Sequence, residues 1–241
     1  MVFCLFDFVE CGFYVARHAD VWRVFTLRNH FYSPYPIYLL VYALLDLTEY
    51  YALYLDSSTE HAANIMQYGP QAPFGYPEPR PEQVKRIEFI VQYAEGDILD
   101  LGCDSGFILS ECIGEVGIDL SRERLRAARY WMPYLTLVQA LAEYLPFPQV
   151  FDTVIATELL EHVLSPPSVL REAHRVLKPN GKLIVTVPNE IDGKSHMNPE
   201  HLRHFTEDDL RQLLTEWFTI ETFKQIEGEY PTWCLCCIRK S

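Results

Sequence analysis

One stretch of this chain carries residue types at a spacing that could hold a ligand. The apolar run Ile98-Leu99 leads into Asp100, and the chain turns through Gly102 and Gly106 before a second apolar run, Phe107-Ile108-Leu109. Glycines allow a sharp turn and let backbone lie against a ligand with no Cβ between them. Nineteen residues after Asp100, the run Val116-Gly-Ile118 ends in Asp119. That is the spacing at which a nucleotide-binding βαβ unit sets an acid against ribose hydroxyls. The glycines do not make a dinucleotide fingerprint, because counting from Gly102 the other two positions of G-x-G-x-x-G hold Asp104 and Phe107. Asp100 and Asp104 would repel a pyrophosphate, and no lysine follows as in a P-loop. A nucleoside joined to a cationic amino-acid end suits such a turn better, and S-adenosylmethionine (SAM) is one. An ordinary strand-to-helix turn would explain the glycines alone, but not the spaced acids.

Those residues need a scaffold, and the rest of the chain supplies one. Pro81 opens a helix whose Val84, Ile87 and Val91 share a face. Strands are expected at Ile98–Asp100, Glu115–Asp119, Leu135–Val138, Thr153–Thr157 and Lys182–Val187, alternating with helices after Gly106 and at Glu123–Trp131, Ser168–Leu177 and Glu207–Thr215. Strand–helix alternation implies a parallel sheet covered on both faces. Thr206 and Asp209 form a capping pair for the last helix. Phe218–Gln225 and Trp233–Arg239 read as a closing antiparallel hairpin. The fold expected is α/β, Rossmann-like and doubly wound, with a mostly parallel seven-stranded sheet ending in that hairpin.

Ahead of this lies a different composition. The first 65 residues hold fifteen aromatics, and the first lysine in the chain is Lys85. Ile37 to Leu45 is uncharged but too short to span a bilayer. Ile37, Leu40, Val41, Leu44 and Thr48 fall on one face of an amphipathic helix. Three domain-level segments are therefore expected: an aromatic-rich extension over 1–68, a Pro/Gly linker over 69–80, and the α/β domain over 81–241. The extension would be a cap, a partner surface or a segment upstream of a native start near Met66.

The net charge of −13 over 241 residues disfavours broad binding to nucleic acid or anionic membranes. Arg122, Arg124, Arg126 and Arg129 follow Asp119 and read as a solvated helix face. Seven cysteines, an odd number, and an N-terminus with Asp7 and Glu10 in place of a basic leader point to a reducing, cytoplasmic compartment. Cys234, Cys236 and Cys237 lie on an apolar strand, where neighbours face opposite ways. Buried thiols are the expected reading, rather than a metal cluster.

From about Pro81 to Lys240 the chain resembles a class I SAM-dependent methyltransferase, of the broad group that includes ubiquinone-pathway methyltransferases. Five blocks carry the resemblance in the family's order: Asp100–Gly106, Gly117–Ser121, Ala142-Glu-Tyr-Leu-Pro-Phe147, Phe151–Val163 and Arg171–Gly181. Asp104 stands where the family often has a glycine. Leu141 stands where it usually has an acid for the adenine amino group, which leaves backbone contacts and apolar packing from Leu141 and Leu120.

The resemblance implies a small-molecule methyl acceptor and the following site. Asp100, Gly102, Cys103 and Gly106 would surround the methionine part of SAM. Asp119 would take the ribose hydroxyls, and Leu120, Leu141 and Ala142 would border adenine. Thr157 would end the fourth strand beside the reacting methyl, with His162 as the base. The segment Glu158-Leu-Leu-Glu161-His162 is similar to a pattern used for a divalent cation by ubiquinone-pathway O-methyltransferases and small-RNA terminal 2′-O-methyltransferases. Glu158, Glu161 and His162 would share a face if the segment is helical from Glu158, with His201 or His204 closing a site for Mg²⁺ or Mn²⁺. The plainer alternative is that Glu158 lines the acceptor site, Glu161 pairs with a neighbour and His162 packs. The function expected is methyl transfer to oxygen of a small apolar or aromatic acceptor. RNA 2′-O-methylation, which the net charge disfavours, and a catalytically silent binding protein are the alternatives.

Overall fold

The computed structural model describes residues 47–74, 78–189 and 201–241. The expected helical face over Ile37–Leu45 lies outside these residues. Seven strands form one sheet in the order β3-β2-β1-β4-β5-β7-β6. They are β1 (Ile98–Leu101), β2 (Val116–Asp119), β3 (Thr136–Gln139), β4 (Phe151–Thr157), β5 (Leu177–Pro188), β6 (Phe218–Ile226) and β7 (Thr232–Arg239). The helices are α1 (Leu47–Tyr68), α2 (Pro81–Tyr93), α3 (Phe107–Glu111), α4 (Arg122–Trp131), α5 (Pro166–Val176) and α6 (Glu207–Thr215). The first five strands in chain order pair in parallel, whereas β7 pairs antiparallel with both β5 and β6.

Alternation along the strands divides the core in two. Leu99, Val154, Leu183, Val185, Leu235 and Cys237 face Val169 and Leu170 of α5 and Leu210 and Leu214 of α6. Ile98, Ile155, Ile184, Cys234 and Cys236 face Phe89 and Ile90 of α2, Leu109 of α3 and Leu125 of α4. Helices on both faces of a largely parallel sheet make the doubly wound arrangement. Leu170 and Ile90 have no solvent exposure, and truncating such a side chain to alanine costs about 2–5 kcal/mol. The cysteines of β7 divide as a strand requires, with Cys234 and Cys236 on one face and Cys237 on the other. Burial comes first among the causes that push their thiols up, to about 12 for Cys234 and Cys236 and further still for Cys237.

Local chemistry sets the element ends. Thr206 and Asp209 exchange side-chain and backbone hydrogen bonds in a capping box at α6. Ser121 caps α4 by accepting from the Arg124 amide. Pro166 starts α5 two residues before Ser168, because proline suits the first helical turn. β5 starts at Leu177 rather than Lys182, with Asn180 taking a left-handed φ of 62° inside it.

Two expectations from periodicity are corrected. α2 does not bury the Val84–Ile87–Val91 face. Val84 and Val91 are each 41% exposed, while Glu82, Gln83, Arg86, Phe89 and Ile90 turn inward. Phe89 and Ile90 supply the packing, and Gln83 and Arg86 reach a cavity at the end of the sheet. Nor are the arginines of α4 uniformly solvated. The Arg124 side chain is only 14% exposed and points to the turn after β1.

Candidate functional site

The carboxyl ends of parallel strands are where an open α/β sheet receives ligands. Here a cavity of about 490 Å³ opens at the ends of β1, β2, β4 and β5. Asp100, Gly102, Cys103, Asp119, Leu120, Leu141, Ala142 and Thr157 all line it. Gly106 does not. Its φ of 74° makes the entry to α3, and a Cβ there would lie 2.7 Å from Leu135 Cδ1. Gly106 therefore builds the turn and its packing, not the cavity wall.

The three acids of the turn are held differently. Asp119 Oδ1 accepts from the Ser121 amide at 2.7 Å and Oδ2 from the Asp104 amide at 3.1 Å. Those bonds fix the carboxylate at the end of β2 while leaving lone pairs for hydroxyl donors. Asp100 is 1% exposed, and its Oδ1 meets no hydrogen-bond partner among the described residues. Burial, followed by the negative neighbours Asp119 and Asp104, holds the Asp100 carboxyl well above the usual carboxylate range. Burial also raises that of Asp119, partly countered by Arg124. A cationic ligand group would relieve this repulsion.

Asp104 is the exception. Its φ is 48°, and its carboxylate meets His61 Nε2 of α1 at 3.0 Å and Arg124 of α4 at 3.5 Å. Burial alone would raise it, but the His61 hydrogen bond and the His61 and Arg124 charges bring it below the usual range. Arg124 also stacks over the Tyr54 ring of α1, 4.9 Å from its centroid. Tyr54 and His61 line the cavity as well.

The segment after β4 does not meet the condition under which Glu158, Glu161 and His162 would share a helical face. Glu158 takes a φ of 48°, and α5 begins only at Pro166. Glu158 consequently does not join Glu161 and His162. Its Oε1 accepts from Thr186 Oγ1 at 2.9 Å, and its Oε2 pairs with Arg86 of α2 at 3.2 Å. Glu161, His162 and His201 do converge, with one donor atom from each lying within 4.8 Å of the others. The His162 and His201 rings meet edge to face at 4.7 Å. His204 belongs neither to this group nor to the cavity wall. Backbone ties the two segments: the Leu202 amide donates to the Glu161 carbonyl at 2.8 Å. Arg203 adds bonds to the carbonyls of Leu160, Val163 and Leu164. One carboxylate and two imidazoles are a donor set that Mn²⁺ and similar first-row ions accept.

Several cavity residues were not legible as such: Tyr54, His61, Gln83, Arg86, Arg124 and Glu143. Most come from helices that no motif connects to the strand ends. Asp104 was the available signal, since an acid in a glycine turn needs a cationic partner.

Comparison with known proteins agrees with this geometry. Residues 99–185 match the methyltransferase-domain family. A probable S-adenosylmethionine-dependent methyltransferase of Mycobacterium tuberculosis is 30% identical over 129 residues, 50% of this chain and 47% of that protein. The ubiquinone biosynthesis O-methyltransferase of Proteus mirabilis is 34% identical over 122 residues, 43% of this chain and 48% of that protein. The chain thus spans about half the length of these curated relatives. Among solved structures, the N-methyltransferase NodS of Bradyrhizobium japonicum with S-adenosyl-L-homocysteine shares the fold. Its TM-score is 0.61 at 12% identity, covering 76% of this chain and 99% of that one. The strand order, the acid-bearing turn and the matched segment agree: residues 99–185 form a stretch similar to the methyltransferase-domain family, on a sheet of the fold those proteins share.

Proposed function

We propose that this protein transfers a methyl group from SAM to a small-molecule acceptor. The observation that carries the reading is the cavity beside Asp100 and Asp119, where a buried carboxylate oxygen and a backbone-anchored acid face the same space. Bound SAM would supply an activated methyl on a sulfonium. Asp119 fits the ribose hydroxyls, Asp100 fits the amino-acid ammonium, and Leu120, Leu141 and Ala142 offer apolar contact to adenine. Holding donor and acceptor in line can provide much of the rate.

For the acceptor we favour oxygen on a small apolar or aromatic molecule, supported by His162 as a neighbouring base and by the likeness to an O-methyltransferase. Glu161, His162 and His201 would hold Mg²⁺ or Mn²⁺, which would lower the acceptor hydroxyl's pKa. Glu158 is assigned to the wall between cofactor and acceptor, not to the ion. No described helix is long and apolar enough to cross a membrane, and a cytoplasmic setting suits the free thiols of Cys103, Cys112, Cys234, Cys236 and Cys237.

Calorimetric titration with SAM and S-adenosylhomocysteine (SAH), followed by a methyl-transfer screen against metabolite pools, tests the proposal. Saturable binding and labelled small-molecule product are expected. No saturation at millimolar cofactor would overturn it.

A further inference from the structure

We infer that Asp104 and His61 are positioning residues that make α1 a wall of the cofactor site, so that cofactor affinity depends on a helix ahead of the methyltransferase domain. The inference rests on the SAM reading of the cavity. It goes beyond that reading by assigning a role to an acid that the turn itself does not need.

Asp104 is an improbable choice for its backbone. Its φ of 48° lies in the left-handed region, which glycine takes without strain and an aspartate only at some cost. Its carboxylate would also join Asp100 and Asp119 in one negative cluster. Both costs are offset from outside the turn, because the carboxylate turns to His61 Nε2, 3.0 Å from each of its oxygens, and to Arg124. His61 and Tyr54 sit seven residues apart on α1, two helical turns on one face. Both line the cavity that Asp100 and Asp119 also line.

The rest of α1 is anchored to α4, with Ile65 fully buried against Ala127 and Ile65's carbonyl accepting from Trp131 Nε1 at 2.9 Å. Arg124 lies between the two helices, touching Asp104 and the Tyr54 ring. The network therefore runs from the cofactor turn to α1 at one end and from α1 to α4 at the other. Cutting the His61–Asp104 link frees the end of the wall that faces the cofactor while the Ile65 anchor stays intact.

The full-length chain is titrated with SAH by calorimetry as wild type, His61→Ala, Asp104→Gly, Asp104→Asn and the His61→Ala/Asp104→Gly double variant. Each single truncation should weaken SAH about five- to tenfold, less than losing a direct charged hydrogen bond would, because the link acts on the cofactor only through the placement of α1. The double variant should be no weaker than either single one, because both remove the same link. Asp104→Asn, which keeps an acceptor oxygen for His61, should stay within about threefold of wild type. Melting separates this from a folding defect: relief of the left-handed φ by glycine opposes the loss of the His61 and Arg124 contacts, so Asp104→Gly should melt close to wild type. If His61→Ala fails to fold, the Asp104→Gly arm still decides. SAH binding by Asp104→Gly at wild-type strength or tighter, or additive losses in the double variant, would overturn the inference alone. Absence of SAH binding by the wild type would overturn the SAM reading, and this inference with it.

Discussion

The turns that end β1 and β4 use one device for different ends. Each places an acid in the left-handed region, Asp104 and Glu158, both at φ 48°. Each acid then pairs with an arginine from a helix, Asp104 with Arg124 of α4 and Glu158 with Arg86 of α2. Around Asp104 the turn is glycine-flanked and lies beside two further buried acids, Asp100 and Asp119, which line the cavity with it. Around Glu158 there is no glycine, and the backbone leads to a carboxylate and two imidazoles. A strained acid tied to an outside cation fixes the direction of a loop. What the loop then holds depends on its neighbours.

Variants can break this contrast in order of expected effect. Glu161→Ala should lower methyl transfer by about 100-fold while leaving SAH affinity within about twofold, since losing one ligand or its support costs 10- to 100-fold in metal affinity or activity. Excess EDTA should reproduce that loss, and Mn²⁺ should restore turnover only in the wild type. Full activity in EDTA would leave His162 as base without an ion. On the other turn, Asp119→Ala should weaken SAH roughly 10- to 100-fold, through hydrogen bonds to a charged acceptor of about 1.5–3 kcal/mol. Titration calorimetry reads both outcomes, and a variant at the β4 turn that weakened SAH as strongly would erase the division.

A smaller effect sharpens the electrostatic side. The Asp100 carboxyl is held above its ordinary 3.8, so the native state keeps a proton that the unfolded chain releases. Its contribution to stability falls as pH rises from about 4 through the raised native value. Asp100→Asn, neutral throughout, should therefore melt higher than wild type at pH 8. That gain should shrink as pH falls and Asp100 becomes protonated, and SAM binding should weaken. Melting scans from pH 4 to 8 check the slope; an advantage that grows on acidification would contradict the burial argument. The least effect belongs to Arg126→Ala. Its pair with Glu123 is exposed on both sides, so melting should move by less than about 0.5 kcal/mol equivalent.

Legibility in the sequence followed the same line. Strand positions and the closing hairpin were readable because apolar alternation and glycine turns are local signals. Asp119 was readable because its spacing from Asp100 is fixed by one βα unit. The α2 face was misread because Val84, Ile87 and Val91 satisfy a helical period, yet the polar residues of that helix are drawn inward by the cavity. Arg86 has no local mark that it will meet Glu158, 72 positions on. The shared face of Glu158, Glu161 and His162 depended on a helix from Glu158; the segment is not helical, and Arg203 and Leu202 bond its carbonyls from outside. Helical spacing was thus a poor guide to which of its acids converge.

The placement of β7 has a consequence for how the chain matures. It is the final strand in chain order, yet it lies between β5 and β6 instead of at the rim. Until residues 232–239 have emerged and paired, β5 presents an open edge bearing Ile184, Val185 and Val187, and β6 has no neighbour. Unpaired apolar edges invite association with other chains. Newborn chains should therefore pass through a brief interval of stickiness that ends when β7 slides into its slot. A released chain with residues 232–239 deleted should recruit holding chaperones more strongly than one that has them.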